Sequence, residues 1–215
     1  MKIQSFGCSF LAGSDLQSPE HTWPAVIARE LGISHENHAW PGVGNLYIMT
    51  KVLAHAGPDA VAVINWTFID RFDFCSAANE QWHTLRPSLD HAHGPYYFAN
   101  LHGQYRDMLT SLTYVNTAVD FLIANGVPFV MTYMDDLLFE TVDPSWHDPR
   151  AVSYLQARLK PHITDFGGAS FLTWSLNQGF EISDRLHPLA RAHSAAASHW
   201  IEHVQGLVKR IARRS

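Results

Sequence analysis

The run from Ala60 to Trp66 constrains the fold of this chain more than any other segment. It reads Ala-Val-Ala-Val-Ile-Asn-Trp, is almost continuously apolar, and follows a Gly57-Pro58 turn signal. A strand that is apolar on both faces is typical of a parallel sheet, because helices cover it from both sides. Val127–Met134 is a second run of this kind, and it follows a helical pattern that ends near Asn125-Gly126.

Strand patterns alternate with helical patterns along most of the chain. Further strands are predicted at Lys2–Cys8, Ile33–Trp40 and, more weakly, Phe171–Trp174; helices are predicted from Trp23 to Leu31, over Asn45–Ala56 and along the apolar stripe from Trp200 to Ile211. This alternation predicts right-handed βαβ units. We therefore expect an α/β fold: one domain over residues 1–215, a three-layer αβα sandwich with a mostly parallel sheet of four or five strands.

Residues 71–103 do not follow this rhythm. The segment is rich in His, Pro, Asn and aromatic residues and shows neither a helical nor a strand period. We interpret it as an irregular insertion next to the strand that ends at Trp66, since long irregular segments in compact domains are often lids or binding loops.

Composition and charge exclude several classes of protein. The formal net charge is −5, and the basic residues are clustered only at the C-terminus, which argues against a general nucleic-acid binder. No apolar run approaches the length of a membrane span, and the N-terminus is too polar for a signal peptide, so a cytoplasmic protein is expected. The histidines at 199 and 203 lack the converging partners of a zinc site, and no metal is predicted.

Three short segments carry residues that could perform chemistry. Ser9 follows the first strand, at the edge of the sheet where open α/β folds place their sites. Asp184 and His187 stand three residues apart before the last helix, so the carboxylate could orient the imidazole; an Asp cap beside a surface His is the alternative. The turn around Gly42 exposes backbone N–H groups that suit an oxyanion, although most glycine turns perform no chemistry.

The order of these segments resembles the SGNH (GDSL-like) hydrolase family. The resemblance extends from Gly7 to the last helix, and Asp184-Arg185-Leu186-His187-Pro188 is its most specific element. The first block of the family is usually Gly-Asp-Ser-Leu, whereas this chain has Gly7-Cys8-Ser9-Phe10 and keeps the serine. The second block carries over to Gly42, with Asn37 and Pro41 in fitting places.

The resemblance implies an ester hydrolase that works through an acyl-enzyme and needs no cofactor or metal. Ser9 is then the nucleophile, His187 the general base and Asp184 its orienting acid, and the N–H groups of Ser9 and Gly42 bind the oxyanion. The expected substrate is a small acyl or acetyl ester, and an acetylated carbohydrate is one example. Acyl transfer by the same triad, and a non-catalytic binding protein on the same fold, are the alternatives.

The third block of the family departs from its usual Gly-x-Asn-Asp pattern. Counting back from Asp70, Ile69 occupies the position of the asparagine that donates to the oxyanion, and Thr67 occupies the glycine position. Asn45, after the Gly42 turn, and Thr67 are the candidates to replace that donor. A helix N-cap is the alternative role for Asn45. The chain alone does not specify the ester or the oligomeric state.

Overall fold

The computed structural model describes residues 1–77, 80–87, 91–145 and 147–214. Within these residues the strands are β1 (Lys2–Gly7), β2 (Ser34–Asn37), β3 (Ala60–Trp66), β4 (Phe72–Cys75), β5 (Trp82–Leu85) and β6 (Phe129–Tyr133). The helices are α1 (Ser9–Ala12), α2 (Trp23–Glu30), α3 (Asn45–His55), α4 (Gly94–Asn100), α5 (Gln104–Ala124), α6 (Arg150–Leu159), α7 (Phe171–Asn177) and α8 (Ala190–Ala212).

The main sheet has the strand order β2-β1-β3-β6, and every neighbouring pair is parallel. All seven residues of β3 are buried, as its apolar sequence predicts. The predicted fold class, an α/β sandwich with a parallel sheet of four or five strands, is confirmed with four strands. The carboxyl ends of these strands meet at one edge of the sheet because the strands are parallel.

Helices cover both faces of this sheet. Since β2 and β3 lie on opposite sides of β1, right-handed crossovers place α2 and α3 on opposite faces. The helix α2 packs against α8, and α3 packs against α5, which in turn contacts α6. The two helical layers and the sheet share one hydrophobic core, in which Ile3, Phe6, Val63 and Ile64 are fully buried.

Two predicted strands differ from the structure. The second strand is shorter than expected, and the prediction of a strand at Phe171–Trp174 is wrong because these residues begin α7. The reason lies just before the segment: Ser170 caps the helix, and its Oγ accepts a hydrogen bond from the Thr173 N–H. The pattern of four residues alone does not distinguish a helix from a strand, and here the N-cap serine before them starts a helix.

The segment predicted to be an irregular insertion contains regular structure. The strands β4 and β5 form an antiparallel pair in which Phe72 lies opposite Leu85, and α4 follows them. The rings of Phe72 in β4 and Tyr97 in α4 stack at a centroid distance of 4.7 Å, so the two strands pack against α4. This hairpin lies beside the start of α3, because Gly44 N–H donates to Asp73 Oδ1 at 2.8 Å.

A buried histidine connects the two helices on one face of the sheet. His193 of α8 accepts a hydrogen bond from the Trp23 N–H at the start of α2, at 3.1 Å, and is 1% exposed. Burial lowers the pKa of His193 to about 3, against a smaller opposing effect of the Pro188 carbonyl. The imidazole is therefore neutral at pH 7, and it anchors the helix that follows the His187-Pro188 turn.

Candidate active site at the carboxyl edge of the sheet

The predicted nucleophile and the predicted oxyanion turn lie at the carboxyl ends of neighbouring strands. Ser9 begins α1, directly after β1. The Trp40 N–H donates to the Gly7 carbonyl at 3.1 Å, which holds the turn at Gly42 beside the end of β1. Thr67 directly follows β3, the other neighbour of β1.

The Ser9 side chain is buried, with 7% of the residue exposed. The nearest recorded polar contact of its Oγ is the Cys8 Sγ at 3.7 Å. The Cys8 thiol belongs to the hydrophobic core and donates to the Met134 thioether at 3.2 Å. Cysteine at the position of the family's aspartate therefore contributes packing against Met134, the residue that follows β6.

The carboxylate that contacts His187 is not the predicted one. The His187 Nδ1–H donates to Asp15 Oδ2 at 2.7 Å, and the Ser183 hydroxyl donates to the same oxygen at 2.7 Å. The hydrogen bond from His187 has the largest effect on the pKa of Asp15, and that from Ser183 the second largest. Both lower this pKa, so the carboxylate is ionised at neutral pH. The expected contact between Asp184 and His187 is thus replaced by a contact from the segment that follows Ser9.

The local backbone explains why Asp184 is displaced. Residues 183 to 187 form a closed turn in which the Ser183 N–H donates to the His187 carbonyl and the His187 N–H donates to the Ser183 Oγ. Leu186 has a φ of +63°, a left-handed conformation that reverses the chain just before the histidine. Asp184 lies on the exposed side of this turn. Three residues of spacing do not bring it to the imidazole.

His187 lies against the Ser9 segment without a direct bond to the serine. Its ring packs edge-on against Phe10, the next residue after Ser9, at a centroid distance of 5.7 Å. Among the described residues, no hydrogen bond joins Ser9 Oγ to His187, and the His187 Nε2 has no hydrogen-bond partner. The structure therefore brings the carboxylate, the imidazole and the serine segment together, and it leaves the serine–imidazole bond unformed.

Asn45 has neither of the two roles considered for it. Gly44 is the N-cap of α3, and Asn45 is its first residue. Asn45 is 2% exposed, and its side-chain amide makes three hydrogen bonds. Its Oδ1 accepts from the Thr67 N–H at 2.9 Å, and its Nδ2 donates to the Thr67 carbonyl and to Ser111 Oγ, each at 3.2 Å. An amide with these partners has no donor left for an oxyanion.

Replacing Asn45 with alanine should therefore act on stability. The change leaves the buried Thr67 N–H and carbonyl without partners, so we expect the free energy of unfolding to fall by about 2–4 kcal/mol, measured by chemical denaturation. Asn125→Ala is the matched control, because Asn125 is exposed and its amide makes one bond to the Phe121 carbonyl. A loss below about 1 kcal/mol together with a hundredfold lower kcat would restore the oxyanion role.

Two other residues of the third block, Ile69 and Thr67, are buried at this edge of the sheet. Ile69 is 3% exposed within the core, and its N–H donates to Asp135 Oδ2 at 2.9 Å. Asp135 also caps the turn at residues 136–139, because its Oδ1 accepts a hydrogen bond from the Leu137 N–H. Thr67 Oγ1 is buried and has no hydrogen-bond partner. A free hydroxyl thus remains at this edge of the sheet.

A cleft opens beside the Gly42 turn, and sequence reasoning missed its charged residue. The cavity measures about 570 Å³ and lies between this turn and the β4–β5 hairpin. The Arg86 Nη1 lies 2.7 Å from where a Cβ on Gly42 would be, and the φ of +79° at this position favours glycine. Arg86 follows β5 inside a segment without periodicity, and no sequence signal connects it with residue 42.

The histidines considered as metal ligands lie in aromatic surroundings. His199 stacks on Phe166 at a centroid distance of 5.6 Å, and both His199 and His203 contact the Trp200 ring edge-on. Within the described ranges, no group of three or more His, Cys, Asp or Glu residues is arranged to hold a metal ion. Over the same part of the chain, every helix is too short or too polar to cross a bilayer.

Comparison with known proteins identifies the fold. No family model matches the sequence, and the comparison with curated protein sequences finds no relative. Among solved structures, a member of the lipolytic protein G-D-S-L family from Veillonella parvula is similar with a TM-score of 0.52 and 13% identity, over 94% of this chain and 97% of that one.

Two carbohydrate esterases are similar to the same degree. A family 2 carbohydrate esterase with a carbohydrate-binding domain, from Corynascus thermopiles, has a TM-score of 0.53 and 13% identity, over 97% of this chain and 66% of that one. A carbohydrate esterase whose active site displays divergent catalytic and non-catalytic binding functions has a TM-score of 0.52 and 15% identity, over 95% and 68%. The chain therefore has the fold of SGNH-type hydrolases, which confirms the resemblance at the level of the fold.

Proposed function

We propose that this protein is a serine ester hydrolase that works through an acyl-enzyme. The observation that carries the proposal is the Asp15–His187 pair, which lies against the segment of Ser9 at the carboxyl edge of an SGNH-type sheet. A carboxylate on Nδ1 fixes the imidazole tautomer in which Nε2 is the free base. The substrate class is a small acyl or acetyl ester.

In the proposed reaction, His187 Nε2 takes the proton of Ser9 Oγ while the oxygen attacks the ester carbonyl. Asp15 stabilises the imidazolium that forms, and the tetrahedral oxyanion is held by the N–H groups of Ser9 and Gly42. Neither of these N–H groups has a recorded partner among the described residues. The imidazolium then protonates the departing alcohol, and water repeats the same steps on the acyl-enzyme to release the acid.

The missing Ser9–His187 hydrogen bond is compatible with this proposal. Catalytic hydrogen bonds are often long or misaligned without substrate and tighten in the complex. The base lies in the turn at residues 183–187, and the nucleophile begins the four-residue helix α1. Binding of the ester is expected to close the gap between Oγ and Nε2.

A fluorophosphonate probe tests this function, because it labels only a serine that is activated by a base. We expect the wild-type protein to be labelled at Ser9 and the His187→Ala protein to remain unlabelled. His199→Ala is the matched control and should be labelled like wild type, since His199 packs on aromatic rings of α7 and α8. Equal labelling of all three proteins, or of none, contradicts the proposed enzyme.

The second candidate is a non-catalytic binding protein on the same fold. Two features favour it: counting back from Asp70 places Ile69 at the position of the family's oxyanion asparagine, and the Asn45 amide is committed to Thr67. Loss of one such donor typically lowers the rate by ~10²–10³-fold. A wild-type protein that binds small esters and is not labelled by the probe would be this binding protein.

A further inference from the structure

The cleft beside Gly42 has aromatic walls and a cationic floor. Trp40 and Trp82 are 63% and 41% exposed, which is high for tryptophan, and both line the cavity together with Tyr47. The Tyr47 and Trp82 rings meet edge-on at 5.6 Å. Aromatic side chains arranged around a concave surface of this size are characteristic of a small-molecule site.

Arg86 is a half-buried cation that forms no ion pair with any acidic side chain among the described residues. Its Nε is buried and has no hydrogen-bond partner. Burial, and then the positive charge of Arg71, lower the pKa of Arg86. A guanidinium remains protonated at neutral pH, so the unpaired Nε–H and the positive charge favour an anion in this cleft.

The Asp73 carboxylate, which is buried beside the Gly42 turn, forms no ion pair with Arg86. Asp73 accepts hydrogen bonds from the Gly44 and Tyr47 N–H groups, both at 2.8 Å, and from Thr84 Oγ1 at 2.6 Å. These three donors satisfy its oxygens and hold the hairpin against α3. Glu80 is exposed on the rim of the cleft. The Arg71 guanidinium donates to the Val43 carbonyl and therefore rigidifies the turn from the other side.

We propose that this cleft is a substrate subsite in which Arg86 binds a carboxylate, sulfate or phosphate group carried by the ester. The proposal rests on the proposed function and gives it a substrate class, esters of acidic molecules. Because the guanidinium lies against Gly42, a proposed oxyanion donor, the anionic group is only a few bonds from the ester carbonyl. Trp40 and Trp82 pack against the flat or apolar part of the same molecule.

Paired substrates test the preference for an anion. 4-Nitrophenyl hemisuccinate carries a carboxylate three bonds from the ester carbonyl, and 4-nitrophenyl pentanoate is a neutral ester of similar length. We expect the ratio of kcat/KM for hemisuccinate over pentanoate to fall about 10- to 100-fold in Arg86→Gln, the size of a charged hydrogen bond. Arg86→Lys should retain an intermediate ratio, because it keeps the charge and loses the planar fork.

The control is Arg213→Gln, an exposed arginine beyond α8, which should keep the wild-type ratio. An unchanged ratio in Arg86→Gln, with an equal loss or no loss for both esters, overturns the subsite. An equal loss would assign Arg86 to the oxyanion itself. Melting temperatures of the variants identify any protein that has not folded, and Arg86→Lys then carries the comparison.

Binding without hydrolysis separates this inference from the proposed function. In the Ser9→Ala protein, N-phenylsuccinamate is an amide analogue of an anionic ester, and pentananilide is its neutral counterpart. Calorimetry should show tighter binding of N-phenylsuccinamate, and adding Arg86→Gln should remove the difference. If wild type hydrolyses neither ester but this preference is present, the subsite stands and the hydrolase fails; if both esters are hydrolysed and no preference exists, the subsite fails.

Discussion

Replacing Ser9 with alanine is expected to lower kcat for a short-chain aryl ester by about 10⁴–10⁶-fold, since removal of a nucleophile eliminates the acyl-enzyme route. The melting temperature should change by no more than a few degrees. Among the described residues, the one side-chain hydrogen bond of the Ser9 hydroxyl is the long contact with the Cys8 Sγ at 3.7 Å, so its removal costs little stability. Release of nitrophenolate and a thermal melt measure the two quantities.

Ser14→Ala is the matched control for this prediction. Ser14 lies in the turn after α1 and contributes its N–H to the Ser9 carbonyl, a bond that alanine retains. Its turnover should equal that of wild type. A Ser9→Ala protein that keeps full activity would show that another residue is the nucleophile, even if the His187 variant is inactive.

The second large effect is expected at Asp15, and it distinguishes the structure from the sequence motif. Asp15→Asn should lower kcat about 10³–10⁴-fold, because the amide no longer stabilises the imidazolium and favours the wrong tautomer of His187. Asp184→Asn should leave kcat within about twofold of wild type, since Asp184 is an exposed surface residue and such substitutions act weakly.

If Asp184 rather than Asp15 orients His187, the activities of these two variants should be reversed. A severe loss in Asp184→Asn with near-normal activity in Asp15→Asn would return the role of orienting acid to the family's motif position. Ser183→Ala is a further comparison: it removes one of the two hydrogen bonds to Asp15 Oδ2, together with the acceptor of the His187 N–H in the turn, and leaves the bond from His187 Nδ1 to Asp15. Its effect should be much smaller than that of Asp15→Asn.

The sequence predicts the sheet well because each strand carries its own signal. An apolar run such as Ala60–Trp66 favours a buried strand through its own composition, so its secondary structure depends little on distant residues. The prediction fails at Phe171–Trp174, where a single capping serine outside the run decides the outcome. The elements of residues 71–103 are missed because their strands are four residues long and are held by aromatic contacts across the hairpin and α4.

The candidate site is only partly predictable from the sequence. The positions of Ser9 and Gly42 follow from strand ends, which are local features. The contact between His187 and Asp15 joins residues 172 positions apart, and the Leu186 turn that permits it is set by hydrogen bonds within the turn. Arg86 reaches Gly42 through the packing of a hairpin, for which neither composition nor spacing supplies a signal.

The placement of Asp15 has a consequence for how such sites evolve. The proposed nucleophile and its orienting acid are only six residues apart, so one short segment of the chain carries both, and a distant segment needs to supply only a histidine. An imidazole nitrogen takes one carboxylate at a time, so an acid at 15 frees position 184 to drift. Homologues of this chain would then escape any search that requires an aspartate three residues before the histidine.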